Sequence, residues 1–272
     1  MRRAPAPAKL NLALVVGPLR EDGKHEVVTV LQRIDLADRV ALEPRAQLEV
    51  RGFDGDTLVR AALEALAARA GVPAAWRATI TKRVPVAAGL GGGSSDAATA
   101  LLLANATLEE PLPPAALDEL AASLGADVPF FLHDGPQLGR GDGSVLQPLD
   151  LPQDYWVVVA LPPGATKDST ATVYAAFDRH GGAEGWDGRR VALERAVAAA
   201  RRPRDLAALP PNDLASSPLS DRLRELGAFR ADVSGAGPAV YGLFHHRRQA
   251  VSARRALGRG VRTWLTVPVW YG

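Results

Sequence analysis

The chain alternates apolar runs with polar turns in a pattern that predicts both strands and helices. Alternating or continuous runs rich in valine, isoleucine and leucine are typical of strands. These predicted strands span residues 7–16, 27–34, 39–50, 76–86, 155–161 and 263–271. Apolar residues that recur every three or four positions predict helices. They span residues 57–70, 97–105, 115–124, 191–200, 219–227 and 249–257, and a further helical stretch is expected to begin at 210–214.

A glycine-rich stretch joins the strand predicted at 76–86 to the helix that follows it. Residues 89–93 hold four glycines, and Ser94, Ser95 and Asp96 come next. Glycine lets the backbone approach a ligand closely, and the three polar residues are expected to cap the helix. A helix N-terminus offers unpaired N–H groups and the positive end of a dipole. We therefore predict a phosphate-binding loop, with a plain turn as the alternative.

Two common nucleotide-binding motifs do not fit this loop. It lacks the Gly-Lys-Ser/Thr ending of a Walker A loop. Ser94 stands where the dinucleotide fingerprint has its third glycine. The chain also has no His-Arg-Asp or Asp-Phe-Gly element of a protein kinase. The predicted phosphate site therefore belongs to some other class of fold.

Composition limits the classes of protein that remain. A length of 272 residues with 47% hydrophobic content suits one large domain or two modest ones. The linker-like Leu151-Pro152-Gln153 predicts two domains, 1–152 and 153–272. The net charge of only +2 does not favour nucleic-acid binding, although the isoelectric point is 9.1.

Other global features are compatible with a protein of a reducing compartment. The chain has no cysteine, which excludes disulfides and cysteine metal sites. No apolar run approaches the roughly 18 residues of a membrane span, and none follows the N-terminus as in a secretory signal. We expect a cytoplasmic protein.

A few polar residues stand out against this background. The basic residues are mostly arginine, and lysine occurs only at positions 9, 24, 82 and 167. Lys9 and Asn11 alternate with leucines and so share one face of a strand, either as a site or as a solvated face. Asp127 precedes a very apolar run. A carboxylate there costs free energy unless it is paired, used in chemistry or placed in a turn.

Three segments resemble the motifs of the GHMP kinase superfamily, and the resemblance covers nearly the whole chain. They are Pro-Ala-Lys-Leu-Asn-Leu at 7–12, the glycine-rich segment at 89–96, and Val-Ser-Gly-Ala-Gly-Pro at 233–238. Two more segments, 22–26 and 124–131, resemble the branch of the superfamily that acts on a cytidine diphosphate-linked sugar alcohol.

The resemblance implies a fold and an activity. The fold would be α+β with two domains, an N-terminal one like domain 2 of ribosomal protein S5 and a C-terminal ferredoxin-like α/β sandwich. The activity would be transfer of a phosphoryl group from ATP, with Mg²⁺, to a small cytidine diphosphate substrate. We expect no nucleic-acid or membrane partner, and we expect a monomer or weak homodimer.

The resemblance also implies a role for individual residues. Asp127 would be the catalytic base and Lys9 the cation that keeps it ionised. His25 would hydrogen-bond the cytosine, and Tyr174 would stack on it. The implied nucleotide-binding residues are Lys82, Pro85, Gly89, Leu90, Gly91, Gly92, Gly93, Ser94 and Ser95. The implied substrate-binding residues are Asn11, Lys24, His25, Thr57, Thr170 and Tyr174, and no metal ligand is predicted.

The chain departs from the family pattern at three positions. Lys24 stands where the family usually has the tyrosine that forms one aromatic face around the cytosine. Thr57 replaces a usual asparagine, and Ala236 a common serine. Two alternatives stay open: a GHMP kinase for homoserine, mevalonate or a sugar, and a non-catalytic nucleotide-binding protein of the same fold.

Overall fold

The computed structural model describes residues 1–53, 58–165 and 169–269. The strands in these ranges are β1 (Arg2–Leu19), β2 (His25–Pro44), β3 (Glu49–Arg51), β4 (Trp76–Thr81), β5 (Gln137–Arg140), β6 (Val145–Pro148), β7 (Trp156–Leu161), β8 (Arg230–Val233), β9 (Val240–Phe244) and β10 (Arg262–Thr266). The α-helices are α1 (Leu58–Ala70), α2 (Gly92–Asn105), α3 (Pro114–Leu124), α4 (Thr170–Arg179), α5 (Trp186–Ala199), α6 (Pro218–Glu225) and α7 (Arg247–Ala256).

The chain divides into two compact units. The first contains residues 1–8, 36–86 and 91–134, and the second contains residues 9–35, 87–90 and 135–272. This mixture of helices and strands confirms the predicted α+β class. The division of the sequence into domains 1–152 and 153–272 stays a prediction.

In the first unit, helices cover a small sheet. Its strand order is β3-β4-β2, with β3 parallel and β2 antiparallel to β4. Helix α1 packs against α2 and α3, and α2 also packs against a short 3₁₀ helix at Pro129–Leu132. Leu63, Leu101 and Phe130 are fully buried. This packing fixes the position of the glycine-rich loop, because α2 begins inside it.

Strand β2 is continuous where the sequence predicted two strands, at 27–34 and 39–50. Its first half pairs with β5 in the second unit, and residues 39–44 pair with β4 in the first. Strand β4 ends at Thr81, five residues before the predicted end. The carboxylate of Asp38 accepts the N–H groups of Arg83 and Val84, and Pro85 has no N–H to give to a ladder.

Helix α2 begins at Gly92, well before the predicted Ala97. Gly91 occupies the N-cap position with φ of 67°, and no side chain caps the helix. The prediction that Ser94, Ser95 and Asp96 act as caps is therefore wrong. These residues lie inside the helix, where Ser95 and Asp96 are fully buried. A glycine in the left-handed conformation turns the chain into the helix without a side-chain cap.

In the second unit, strands β10-β7-β9-β8 form an antiparallel sheet in that order. The order and the helix–strand sequence around it are those of the expected ferredoxin-like sandwich. Helices α6 and α7 pack their apolar faces on this sheet around Val158, Leu223 and Phe244. Strands β5 and β6 pair as an antiparallel hairpin.

The helix expected to begin at 210–214 is absent from the described residues. A 3₁₀ helix at Pro203–Ala208 is followed by irregular chain up to α6. Pro210 and Pro211 have no N–H to donate, and the guanidinium of Arg230 binds the carbonyl groups of Leu209 and Pro210. Over the described ranges, no helix is both long enough and apolar enough to cross a membrane.

Candidate active site

Lys9 and Asn11 begin a chain of buried hydrogen bonds in the second unit. Both residues are only 4% exposed, so the solvated-face alternative is wrong. The Lys9 ammonium group donates to Asn11 Oδ1 at 2.6 Å. Asn11 Nδ2 donates to Thr29 Oγ1 at 2.8 Å, and that hydroxyl donates to the carbonyl of Ala13 at 2.8 Å. The neighbouring strand thus orients the amide of Asn11, which in turn positions the Lys9 ammonium group.

The glycine-rich loop enters from the same unit and is bound to β1. The Lys9 N–H donates to the carbonyl of Leu90 at 2.9 Å. Gly89 has φ of 81°, and a Cβ there would lie 2.3 Å from the carbonyl oxygen of Ser234. Only glycine fits such a close approach in the left-handed conformation. The first half of the loop is therefore held beside the backbone of Lys9.

Ser234 links these two segments. Its hydroxyl accepts the N–H of Asn11 at 3.2 Å and donates to the carbonyl of Gly89 at 3.1 Å. A Cβ on the next residue, Gly235, would lie 3.2 Å from Asn11 Oδ1 and 3.5 Å from Lys9 Nζ. Sequence reasoning recognised the motif at 233–238 but gave none of its residues a role. It also missed Thr29, which lies between Val28 and Val30 in a predicted strand.

The second half of the loop belongs to the first unit and becomes the first turn of α2. The N–H of Ser95 donates to the carbonyl of Gly91 at 2.9 Å. The three residues before it, Gly92, Gly93 and Ser94, carry the N–H groups that a helix leaves without intrahelical partners. The helix therefore begins where the sequence predicted phosphate binding.

Lys82 lies between two carboxylates of the first unit. Its ammonium group is 2.5 Å from Asp38 Oδ2 and 2.7 Å from Asp96 Oδ2. The side chains of Asp38 and Asp96 are 0% and 1% exposed. Burial works to lower the pKa of Lys82, but its hydrogen bonds to both carboxylates and their charges outweigh burial and raise the pKa. Lys82 is therefore a protonated member of a buried charge cluster.

This charge cluster, Asp38–Lys82–Asp96, supports the start of α2. A Cβ on Gly92 would lie 3.3 Å from Lys82 Nζ and 3.1 Å from Val84 Cγ1. The sequence-based role of Lys82 was nucleotide binding. The structure gives its ammonium group two protein partners, and Asp38 at the same time fixes the backbone of residues 83 and 84.

Asp127 lies in the turn between α3 and the 3₁₀ helix of the first unit. Its side chain is partly exposed, while Val128, Phe130 and Phe131 after it are buried, as the sequence predicted. The turn closes with the Val128 N–H on the carbonyl of Gly125 at 3.0 Å. The carboxylate is thus presented at the edge of an apolar cluster. Its pairing with Lys9 stays a prediction.

His25 and Tyr174, the two residues predicted to recognise cytosine, lie together in the second unit. Their ring centroids are 4.8 Å apart, and the Phe177 ring meets His25 edge-on at 5.9 Å. His25 Nε2 is 2.8 Å from a carboxylate oxygen of Asp178. Sequence reasoning did not identify Asp178, although it lies four residues after Tyr174, one helical turn further along α4.

Lys24 forms an ion pair next to His25 along the chain. Its ammonium group is 2.5 Å from Asp142 Oδ2, and Ser144 donates its N–H and its hydroxyl to the other carboxylate oxygen at 3.1 and 2.6 Å. Burial works to raise the pKa of Asp142, but the hydrogen bonds from Lys24 and Ser144 lower it to about 2. The ammonium group of Lys24 is thus held by a carboxylate.

Two predicted substrate contacts are less defined. Thr170 is the first residue of α4 and is exposed, and Ser169 caps that helix by accepting the Thr172 N–H at 3.0 Å. Thr57 lies outside the described residues. Over the parts of the chain that the structure covers, no three histidine, aspartate or glutamate side chains cluster as metal ligands would.

Comparison with known proteins identifies the class. A family model described as the GHMP kinases N terminal domain matches residues 57–135, and one described as GHMP kinases C terminal matches residues 215–262. A crystal structure of mevalonate kinase, 12% identical, covers 98% of this chain and 99% of its own with a TM-score of 0.76, which shows the shared fold. The fold and the matched segments define a GHMP kinase.

More similar proteins narrow the class to one family. A 4-diphosphocytidyl-2-C-methyl-D-erythritol kinase of Kineococcus radiotolerans is 40% identical over 93% of this chain and 83% of its own length. The crystal structure of a 4-(cytidine 5'-diphospho)-2C-methyl-D-erythritol kinase, 34% identical, covers 98% of this chain and 99% of that one with a TM-score of 0.80. The chain belongs to the family of 4-diphosphocytidyl-2-C-methyl-D-erythritol kinases.

Proposed function

We propose that this kinase transfers the γ-phosphoryl group of ATP to the 2-hydroxyl of 4-diphosphocytidyl-2-C-methyl-D-erythritol, in the methylerythritol phosphate route to isoprenoid precursors. The observation that carries the proposal is the buried ammonium group of Lys9, hydrogen-bonded to Asn11 on the strand that also binds the glycine-rich loop. A fixed cation beside a phosphate-binding loop is what phosphoryl transfer requires, since the protein contributes mainly positioning and charge stabilisation.

Asp127, Lys9 and the start of α2 then each have a role in the reaction. The carboxylate of Asp127 accepts the proton of the 2-hydroxyl as that oxygen attacks the γ-phosphorus. The new oxygen–phosphorus bond forms while the bond from the γ-phosphorus to the leaving ADP oxygen breaks. Lys9 stabilises the negative charge that develops. The N–H groups at the start of α2 bind phosphate oxygens, as helix N-termini do.

Asn11 has a supporting part. One lone pair of its Oδ1 and one hydrogen of its Nδ2 serve Lys9 and Thr29. An amide has two lone pairs and two donor hydrogens, so one of each remains for the substrate. Asn11 can therefore orient Lys9 and contact the acceptor at the same time.

Magnesium is expected to enter with ATP. Mg²⁺ keeps several waters and needs only one or two carboxylates in addition to phosphate oxygens. When bound, the ion neutralises phosphate charge. Removal of Mg²⁺ with excess EDTA should therefore abolish turnover, and added Mg²⁺ should restore it.

The decisive experiment is a kinase assay with Mg·ATP and a panel of acceptors. We expect ADP release with the cytidyl substrate and none with homoserine, mevalonate or galactose. Turnover only with one of these small alcohols would replace the proposed acceptor. Binding of ATP without turnover of any acceptor would favour a non-catalytic nucleotide-binding protein.

A variant of the proposed base tests the chemistry. Asp127→Asn should lower kcat by roughly 10²–10⁴-fold, the usual contribution of a general base. It should leave the affinity for ATP nearly intact. Asp118→Asn is the matched control, because Asp118 also lies in the first unit and pairs with His133 at 2.9 Å. Full activity of the Asp127 variant would refute the assigned base.

The oligomeric state and the cellular location of the protein stay predictions. Sedimentation at graded concentrations would test whether the protein is a monomer or a weak homodimer. Fractionation of the source cells would test the expected cytoplasmic location.

A further inference from the structure

The ring of His25 is enclosed on several sides within the second unit. Its side chain is only 6% exposed. Tyr174 lies over the ring with an interplanar angle of 32°, and Phe177 packs edge-on at 89°. Asp178 binds Nε2 at 2.8 Å. Aromatic contacts hold the plane of the ring, and the carboxylate fixes which nitrogen points toward α4.

The carboxylate partner determines where the proton of a neutral imidazole lies. An ionised carboxylate only accepts hydrogen bonds, so His25 must carry its proton on Nε2 to bind Asp178. The other nitrogen, Nδ1, then holds a lone pair and can only accept. Across the described ranges, the structure gives Nδ1 of His25 no hydrogen-bond partner. The ring thus presents a fixed acceptor.

We propose that Asp178 is a positioning residue that makes His25 selective for cytosine over uracil. Cytosine carries an exocyclic amino group at C4, which donates hydrogen bonds, and uracil carries a carbonyl oxygen there, which accepts them. The lone pair of Nδ1 can accept a hydrogen bond from the amino group of cytosine. It repels the carbonyl oxygen of uracil, which is also an acceptor. The inference rests on the proposed cytidine substrate and adds a residue that sets base specificity.

The position of Asp178 favours this role over a purely structural one. Its side chain is 51% exposed, in the last turn of α4. A carboxylate near the C-terminus of a helix faces the negative end of the helix dipole, which is unfavourable for stability. The negative charge of Asp178 is unfavourable for the helix, and its side chain contacts His25. The contact with His25 therefore explains Asp178 better than a role in the stability of the helix does.

Asp178→Lys inverts the hydrogen bond and so tests the proposal directly. An ammonium group only donates, so a lysine near Nε2 requires the lone pair there and moves the proton to Nδ1. Lysine also suits the last turn of a helix, so the variant should fold. The fold should be checked by thermal unfolding. Asp178→Ala removes the partner without inverting it.

Two measurements follow, with CDP and UDP as probes. Nitrogen-15 NMR of the imidazole should show the Nε2–H tautomer of His25 in the wild type and the Nδ1–H tautomer in Asp178→Lys, while His133 keeps its signals. Calorimetry should show CDP binding about ten- to hundredfold more tightly than UDP in the wild type, the usual effect of an unmatched polar group. Asp178→Lys should reduce that ratio at least tenfold, and Asp178→Ala should give an intermediate value.

The matched control is Asp221→Asn, an exposed helical carboxylate that pairs with Arg224. Its CDP/UDP ratio should equal that of the wild type. An unchanged ratio in Asp178→Lys, an unchanged tautomer, or equal binding of both nucleotides to the wild type would overturn the proposal. If the protein prefers CDP but does not turn over the cytidyl substrate, the proposed function is rejected. The proposed role of Asp178 in base selectivity would then still hold.

Discussion

Lys82 and Lys24 each form a short ion pair, but in opposite surroundings. Lys82 is 16% exposed and lies between the buried carboxylates of Asp38 and Asp96. Lys24 is 58% exposed and binds the single carboxylate of Asp142. A buried charge that loses its partner is costly, whereas an exposed pair contributes little. A change of residue at position 24 should therefore cost less stability than a change at position 82.

Removal of the buried lysine should have the largest effect. Lys82→Met leaves two buried carboxylates without their cation, and we expect a loss of about 3–5 kcal/mol in the free energy of unfolding. Urea unfolding measures it. Lys24→Met is the matched control, with an expected loss of at most about 1 kcal/mol. Equal losses in the two variants would contradict the comparison.

A second effect concerns the backbone of the glycine-rich loop at Gly89. Gly89→Ala places a Cβ 2.3 Å from the Ser234 carbonyl oxygen at φ of 81°. We expect a loss of about 1–3 kcal/mol in unfolding free energy from backbone strain, and a higher KM for ATP because the loop moves. Urea unfolding and initial rates at varied ATP measure the two effects.

Gly93→Ala is the stability control for this variant. No atom lies within 4 Å of a Cβ there, and Gly93 is inside α2. Alanine should raise the unfolding free energy by up to about 1 kcal/mol, since glycine is unfavourable within a helix. Equal losses in the two alanine variants would show that the close approach at Gly89 is unimportant.

The sequence predicted the local features of the site because these depend on periodicity. The alternation at Lys9 and Asn11 placed both side chains on one face, and the structure confirms it with a direct hydrogen bond. The glycine-rich stretch predicted the start of a helix near a phosphate site. It misplaced that start, because the cap is a left-handed glycine and not a polar side chain.

The sequence could not predict which side chains pair when they lie far apart along the chain. Asp38 and Lys82 are 44 positions apart, and His25 and Asp178 are 153 apart. No local pattern connects them, since only the tertiary fold decides which carboxylate reaches which side chain. The early end of β4 follows from the same cause, because the Asp38 carboxylate takes the N–H groups that a longer strand would have used.

A smaller effect is expected at the exposed pair itself. Lys24→Tyr introduces an aromatic side chain next to His25 along the chain, and we expect the KM for the cytidyl substrate to fall by about three- to tenfold. An aromatic pair contributes about 0.5–1.5 kcal/mol beyond its buried area. Steady-state kinetics at saturating ATP measures it, and the KM for ATP should not change. A raised KM for the cytidyl substrate would show that Lys24 itself contacts the substrate.

The smallest effect is the pH dependence of the Lys24–Asp142 pair. The pKa of Asp142 is about 2 in the folded protein and 3.8 in its ordinary state. A lowered pKa stabilises the fold above pH 3.8, and this stabilisation is lost as the pH falls toward 2. Because Lys24 is more than half exposed, we expect a contribution of only about 0.5–1 kcal/mol.

Asp142→Asn should reveal this contribution as a difference that depends on pH. The amide oxygen of asparagine can still accept the two hydrogen bonds from Ser144, so the variant removes mainly the charge. Urea unfolding should show wild type and variant differing by about 0.5–1 kcal/mol at pH 7 and converging near pH 2. A difference that stays constant between these pH values would mean that Asp142 stabilises the turn through its shape and not through its ion pair.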